Sequence, residues 1–133
     1  MRDLQTTRKI LRSWGAWANN KSGVGWYTEM CGLSNVLPRE IKGYVNPISD
    51  EDALNIDRMV AQMYDHNNPR PMSFFLLSYV YNMSNCEIAR RATKADDKKV
   101  SEAKVRNALM LMETFIAGRL TEQDEVGKPI SIE

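Results

Sequence analysis

Histidine occurs once in this chain, at His66, and cysteine only twice, at Cys31 and Cys86. One imidazole with no second His or Cys at ligand spacing leaves a zinc site without support. Two thiols are too few for a disulfide framework and suit a reducing compartment. Cys31 has no C-x-x-C partner, and Cys86 is expected to be a small buried apolar residue. No run of 18 apolar residues occurs, so no membrane span is expected. The opening Met1-Arg2-Asp3-Leu4-Gln5 has no apolar h-region, so no signal peptide is expected and the cytoplasm is the expected location. Charge of one sign is also scarce: 18 basic residues face 17 acidic ones, for a net +1. That balance argues against coating nucleic acid by charge alone. It permits a basic patch on one side and an acidic patch on another. There is no internal repeat and no low-complexity run.

What remains is an ordinary globular composition, 43% hydrophobic and 26% charged over 133 residues, enough for one domain with a core. The pattern is helical, and the expected fold is all-α, a compact helical domain at residues 1–120 followed by an acidic tail at 121–133. Residues 2–19 carry a stripe of Leu4, Thr7, Leu11, Trp14 and Ala18, widened by Ile10 and Trp17. Arg2, Arg8, Lys9 and Arg12 lie mostly elsewhere. Trp14 and Trp17 read as core anchors, and Gly15 between them suits close approach of another element. Residues 19–25 (N-N-K-S-G-V-G) form a loop without Walker spacing, so no phosphate cradle is expected. Trp26 and Tyr27 are expected to tie back to the core. A short helix is expected at 30–37, and an ordered loop at 39–47. Ser49 then opens a helix with Asp50, Glu51 and Asp52 in its first turn, where negative charge suits the dipole. Its buried stripe is Ala53, Ile56, Val60 and Met63. Asp50, Glu51, Asp52, Asp57 and Asp65 against Arg58 make this the acidic face of the chain. A further helix is expected from Pro71 or Met72 to Tyr81, ending in a turn at Asn82, which tolerates left-handed geometry.

The stretch from 72 to 120 carries the main functional signal. Ser84 and Glu87 stand three apart ahead of Ile88 and Ala89, the spacing of a capping box. A short helix at 85–92 follows, with Ile88, Ala89 and Ala92 on one face. Ser101 opens a longer helix whose apolar positions are Val105, Leu109, Met112, Ile116 and Leu120. Two capped helices in series occur in any helical bundle. Here the small Ala89 provides close packing, and Arg90, Arg91, Lys94, Lys98, Lys99, Lys104 and Arg106 outnumber Glu87, Asp96, Asp97 and Glu102. The pattern is that of a helix-turn-helix whose second helix enters the major groove. The connector at 93–100 is longer than usual for such a motif.

Catalysis is not expected. Ser84 and Ser101 are explained as caps, His66 in an Asn-Pro loop makes a poor general base, and the three adjacent acids at 50–52 are simpler as helix-start residues than as magnesium ligands. No catalytic residue, cofactor, metal or small-molecule substrate is assigned.

Two blocks carry a family resemblance. R-D-L-Q … L-R-S-W-G-A-W-A at 2–18, and L-L-S-Y-V-Y-N-M-S-N-C-E-I-A-R-R at 76–91 followed by V-R-N-A-L, resemble the phage antitermination protein Q family. The second block also resembles region four of bacterial sigma factors. The Q-family resemblance implies a protein that binds a double-stranded DNA element overlapping a phage late promoter, in the bacterial host. It implies engagement of paused host RNA polymerase with its sigma factor still attached, and read-through of terminators. Two features depart from the pattern: Asn82 stands where glycine is more usual, and the connector is long. Carried onto this sequence, the resemblance makes the helix from Ser101 the recognition helix. Ala103, Asn107 and Met110 then point outward, flanked by Lys104 and Arg106. Asn suits adenine and Arg suits guanine. Arg91, Lys99, Ser101 and Lys104 suit phosphate, and Glu102 suits a cytosine amino group or a cap. Two other readings compete. One is a conventional helix-turn-helix regulator or sigma-like module acting only at initiation, and the other is a helical adaptor that touches protein alone.

Overall fold

The computed structural model describes residues 3–20, 48–96, 98–125 and 127. The expectations for 21–47, including the helix at 30–37, Trp26, Tyr27 and Cys31, lie outside the described residues, as does the end of the tail. Among the described residues there are five α-helices and no strand: α1 Leu4–Asn20, α2 Asp50–Gln62, α3 Arg70–Tyr79, α4 Asn85–Asp96 and α5 Glu102–Glu125. The all-α expectation holds.

Local chemistry explains where these helices begin. Asp3 caps α1: its Oδ1 accepts the Thr6 N–H at 2.7 Å, which holds the Asp3 carboxyl below its ordinary range. Ser49 accepts the Asp52 N–H at 3.1 Å and starts α2, with three acids in the first turn. Proline near the start of α3 fits a position whose N–H has no helical partner. The expected α3 ran to Tyr81, but the helix stops at Tyr79. Asn82 takes φ 56°, and the Tyr81 and Met83 N–H groups return to the carbonyls of Leu76 and Leu77 at 3.0 and 2.9 Å. The Asn19 amide closes the same end by donating to the Val80 carbonyl at 2.6 Å.

α5 is the axis of the bundle and packs against all four other helices. Its expected stripe of Val105, Leu109, Met112, Ile116 and Leu120 is buried, as are Ile10, Leu11, Trp14 and Ala18 of α1. Trp14, Phe75 and Tyr79 stack through the centre, with ring centroids 6.0 Å apart for the first pair and 4.9 Å for the second. Trp17 is only partly buried, and its indole N–H donates to Asp50 Oδ1 at 2.8 Å, tying α1 to the start of α2. Gly15 marks the crossing of α1 and α3. A Cβ there would fall inside the contact radius of the Tyr79 carbonyl oxygen. Helix α5 continues beyond Leu120, where the sequence expected the tail to begin. No breaker intervenes before Gly127, and Arg119–Glu122 pairs along the extra turn at 3.0 Å.

Candidate nucleic-acid interface

α4 and α5 form the expected pair of capped helices. The Glu87 N–H donates to Ser84 Oγ at 3.2 Å, and the Lys104 N–H donates to Ser101 Oγ at 3.2 Å. Both serines therefore satisfy an N–H that the helix itself leaves open. The faces turned toward each other and the core are Ile88, Ala89 and Ala92 on α4 and Val105 and Leu109 on α5, with Val100 buried in the turn.

The turn corrects the expectation of a long connector. α4 does not end at Ala92 but runs to Asp96, which leaves only 97–101 between the helices. Thr93 lies inside α4 rather than in a loop. Its hydroxyl donates to the Ala89 carbonyl at 2.8 Å and accepts the Val100 N–H at 2.8 Å. One side chain thus pins the far end of the turn to the middle of α4. Nothing in the Thr-Lys-Ala-Asp-Asp run breaks a helix. Asp96, the first of the two aspartates that suggested a loop, is the last residue of α4.

Cys86 is also corrected. It is exposed, not buried. At about 100° per residue it stands roughly 200° around α4 from Ile88, on the side away from the core.

Each residue assigned to nucleic acid is exposed: Arg91 on α4, Lys99 and Ser101 in the turn, and Glu102, Ala103, Lys104, Arg106 and Asn107 on the first turns of α5. Ala103, Arg106, Asn107 and Met110 recur at i, i+3, i+4 and i+7, so they share one outward face. Lys104 and Glu102 flank it on opposite sides. The turn and the α5 N-terminus carry all of these except Arg91 in one short run, 99–107; Arg91 instead borders a groove between α3 and α4. Arg106 and Asn107 are not covered by the protein. On the Lys104 flank of that face, about a quarter to a third of a turn around α5, the helix exposes large apolar side chains, with Leu111 74% and Phe115 41% exposed.

Sequence reasoning missed Glu113. It is buried within the α5 stripe, where its Oε1 accepts Arg8 Nε of α1 at 3.1 Å and its Oε2 accepts the Tyr79 hydroxyl of α3 at 2.5 Å. Burial, reinforced by the Glu113 carboxylate, pushes the Tyr79 hydroxyl pKa upward. The signal was present in the spacing: Leu109, Glu113, Ile116 and Leu120 step by four, three and four, which puts a carboxylate in line with the core. The acidic face of α2 remains, with Asp50 taken up in part by Trp17.

The family described as Phage antitermination protein Q matches residues 1–126. Two curated relatives, each named Antitermination protein Q, come from Escherichia phage 933W and Enterobacteria phage VT2-Sa. Each is 34% identical over 80 residues, covering 59% of this chain and 51% of the relative. The chain thus spans about half the length of these relatives. No solved structure gives a significant match.

Proposed function

The chain belongs to the phage antitermination protein Q family, and on that premise we propose that it is a late-gene transcription antiterminator acting in the cytoplasm of a bacterial host. It binds a duplex DNA element near the late promoter through the first turns of α5. It engages host RNA polymerase that has paused with sigma attached, and makes that polymerase read through terminators. The observation that carries the DNA half of this reading is the outward face of Ala103, Arg106, Asn107 and Met110, set beyond a turn held by Thr93.

The roles follow from side-chain chemistry. Asn107 offers paired donor and acceptor to adenine, and Arg106 a fork to guanine. Arg91, Lys99, Ser101 and Lys104 position the phosphates, aided by the partial positive charge at the α5 N-terminus. Glu102 accepts from a cytosine amino group. The acidic face of α2 and the apolar outer side of α5 are then left for protein contacts.

The test is transcription in vitro from a late promoter followed by a terminator, with and without the protein. Read-through rises with the wild type and is lost in Arg106→Ala/Asn107→Ala. The competing reading, a helix-turn-helix regulator acting at initiation, is supported by the same geometry. It predicts unchanged read-through by a folded protein that still binds the promoter DNA. An adaptor that touches protein alone predicts that the double variant keeps its DNA affinity.

A further inference from the structure

Gly118 sits inside α5, where a glycine weakens a helix. The chain's own packing gives no steric reason for it, since a Cβ there would meet nothing within 4 Å. Gly15 differs, because the Tyr79 backbone occupies the space beside it. Gly118 shares its side of α5 with Leu111, 74% exposed, and Phe115, 41% exposed. Lys104, Ala108, Leu111, Phe115, Gly118 and Glu122 step by four, three, four, three and four. Position 104 to position 122 is about five full turns, so the six form one straight stripe. It is separate from the buried stripe of Val105, Leu109, Met112, Ile116 and Leu120, and it has the spacing by which one helix packs along another.

This outer stripe matches its own reverse. Counted outward from position 113, Leu111 answers Phe115, Ala108 answers Gly118, and Lys104 answers Glu122. A two-fold axis across α5 at that point sets large against large, small against small and cation against anion, each twice. We propose that α5 pairs antiparallel with α5 of a second copy of this chain. Leu111 and Phe115 interlock at the centre, Gly118 lets Ala108 of the second copy close in, and Lys104 meets Glu122 at each end. A face made for an unrelated partner is under no such condition of reversal, and an isologous contact between identical chains is. The Arg119 bond engages Glu122 through Oε2 alone, which leaves the other oxygen for Lys104. Lys104 is also given above to phosphate, so a duplex and a second copy compete for that end of α5, and pairing belongs to the protein free of DNA. The stripe is about 27 Å long on a helix about 10–12 Å across. That is small beside a standard interface of about 800 Å² per partner, so pairing is expected at micromolar rather than nanomolar concentration.

Pairing requires neither DNA nor antitermination, and the full chain is tested alone by sedimentation equilibrium across a wide concentration range. The mass should rise from one 15.2 kDa chain to two and stop there, as a closed two-fold contact requires. Lys104→Glu and Glu122→Lys should each weaken pairing at least tenfold, because each sets like charges together at both ends. The double variant Lys104→Glu/Glu122→Lys should restore it to within threefold of wild type. Gly118→Leu should abolish pairing yet keep or raise the melting temperature, measured where the wild type is a single chain. A single mass at every concentration overturns the proposal, as does growth beyond two chains or a double variant that pairs no better than the singles. So does Gly118→Leu that pairs as well as wild type, or one that melts lower, which would mean that the chain covers this face itself.

Discussion

Glu113 holds three helices with one carboxylate, since Arg8 belongs to α1, Tyr79 to α3 and Glu113 itself to α5. Removing one partner of a buried hydrogen bond leaves the other short of a mate, at a cost of about 1–3 kcal/mol. Tyr79→Phe and Glu113→Gln are each expected to destabilise by that amount, and the double variant by less than the sum, as measured by denaturant unfolding. The pH dependence has a defined sign. The folded-state pKa of Tyr79 is raised, so its contribution is fully present below the unfolded value of about 10 and declines as pH rises beyond it. The melting temperature of the wild type should therefore fall more steeply between pH 9 and 11 than that of Tyr79→Phe. Gly15 is a second residue whose role is steric. Gly15→Ala presses a methyl group onto the Tyr79 carbonyl, and the overpacking should cost about 1–3 kcal/mol. The sequence made Gly15 legible as a point of approach, but not which backbone approaches. It likewise placed Glu113 on the stripe without naming Arg8 or Tyr79. Those partners are distant in sequence, and periodicity carries no information across helices.

At the level of elements, starts were legible and ends were not. Ser49, Ser84 and Ser101 cap as their spacing implied, because a cap is a contact between residues three apart. The ends of α3, α4 and α5 each departed from expectation. Helix termination depends on which carbonyls the following chain can reach, and that is settled by tertiary contacts such as Thr93 to Val100. Asn82 was legible because positive φ restricts residue choice. Asn82→Ala should be less stable than Asn82→Gly by about 1 kcal/mol, as only the alanine meets the left-handed penalty. Thr93→Val keeps the shape of the side chain but removes the hydroxyl between Ala89 and Val100. It should lower the melting temperature and weaken DNA binding together, whereas Ser101→Ala should cost about 0.5–2 kcal/mol through the lost cap.

For the whole molecule, the helical class and the central place of α5 were legible from the apolar repeat that runs from Val105 to Leu120. The arrangement of α1, α2 and α3 around it was not, since single-helix stripes do not specify their neighbours. The proposed DNA binding belongs to this scale because it would draw on α4, the turn and α5 at once. Asn107→Ala should lose about 1–3 kcal/mol on its specific site. Lys104→Ala should weaken all duplexes evenly and lower the salt slope by about 1, as read from binding isotherms across salt concentrations.

α5 is also the rod on which the other four helices rest, and at 24 residues it extends for about 36 Å. The fingertips that would meet the bases and the spine that holds the bundle upright are therefore one uninterrupted piece. A load applied at the duplex end travels straight into the Trp14 and Phe75 layer without crossing a joint. A twist of that end must turn the bundle as a unit or bend the rod itself.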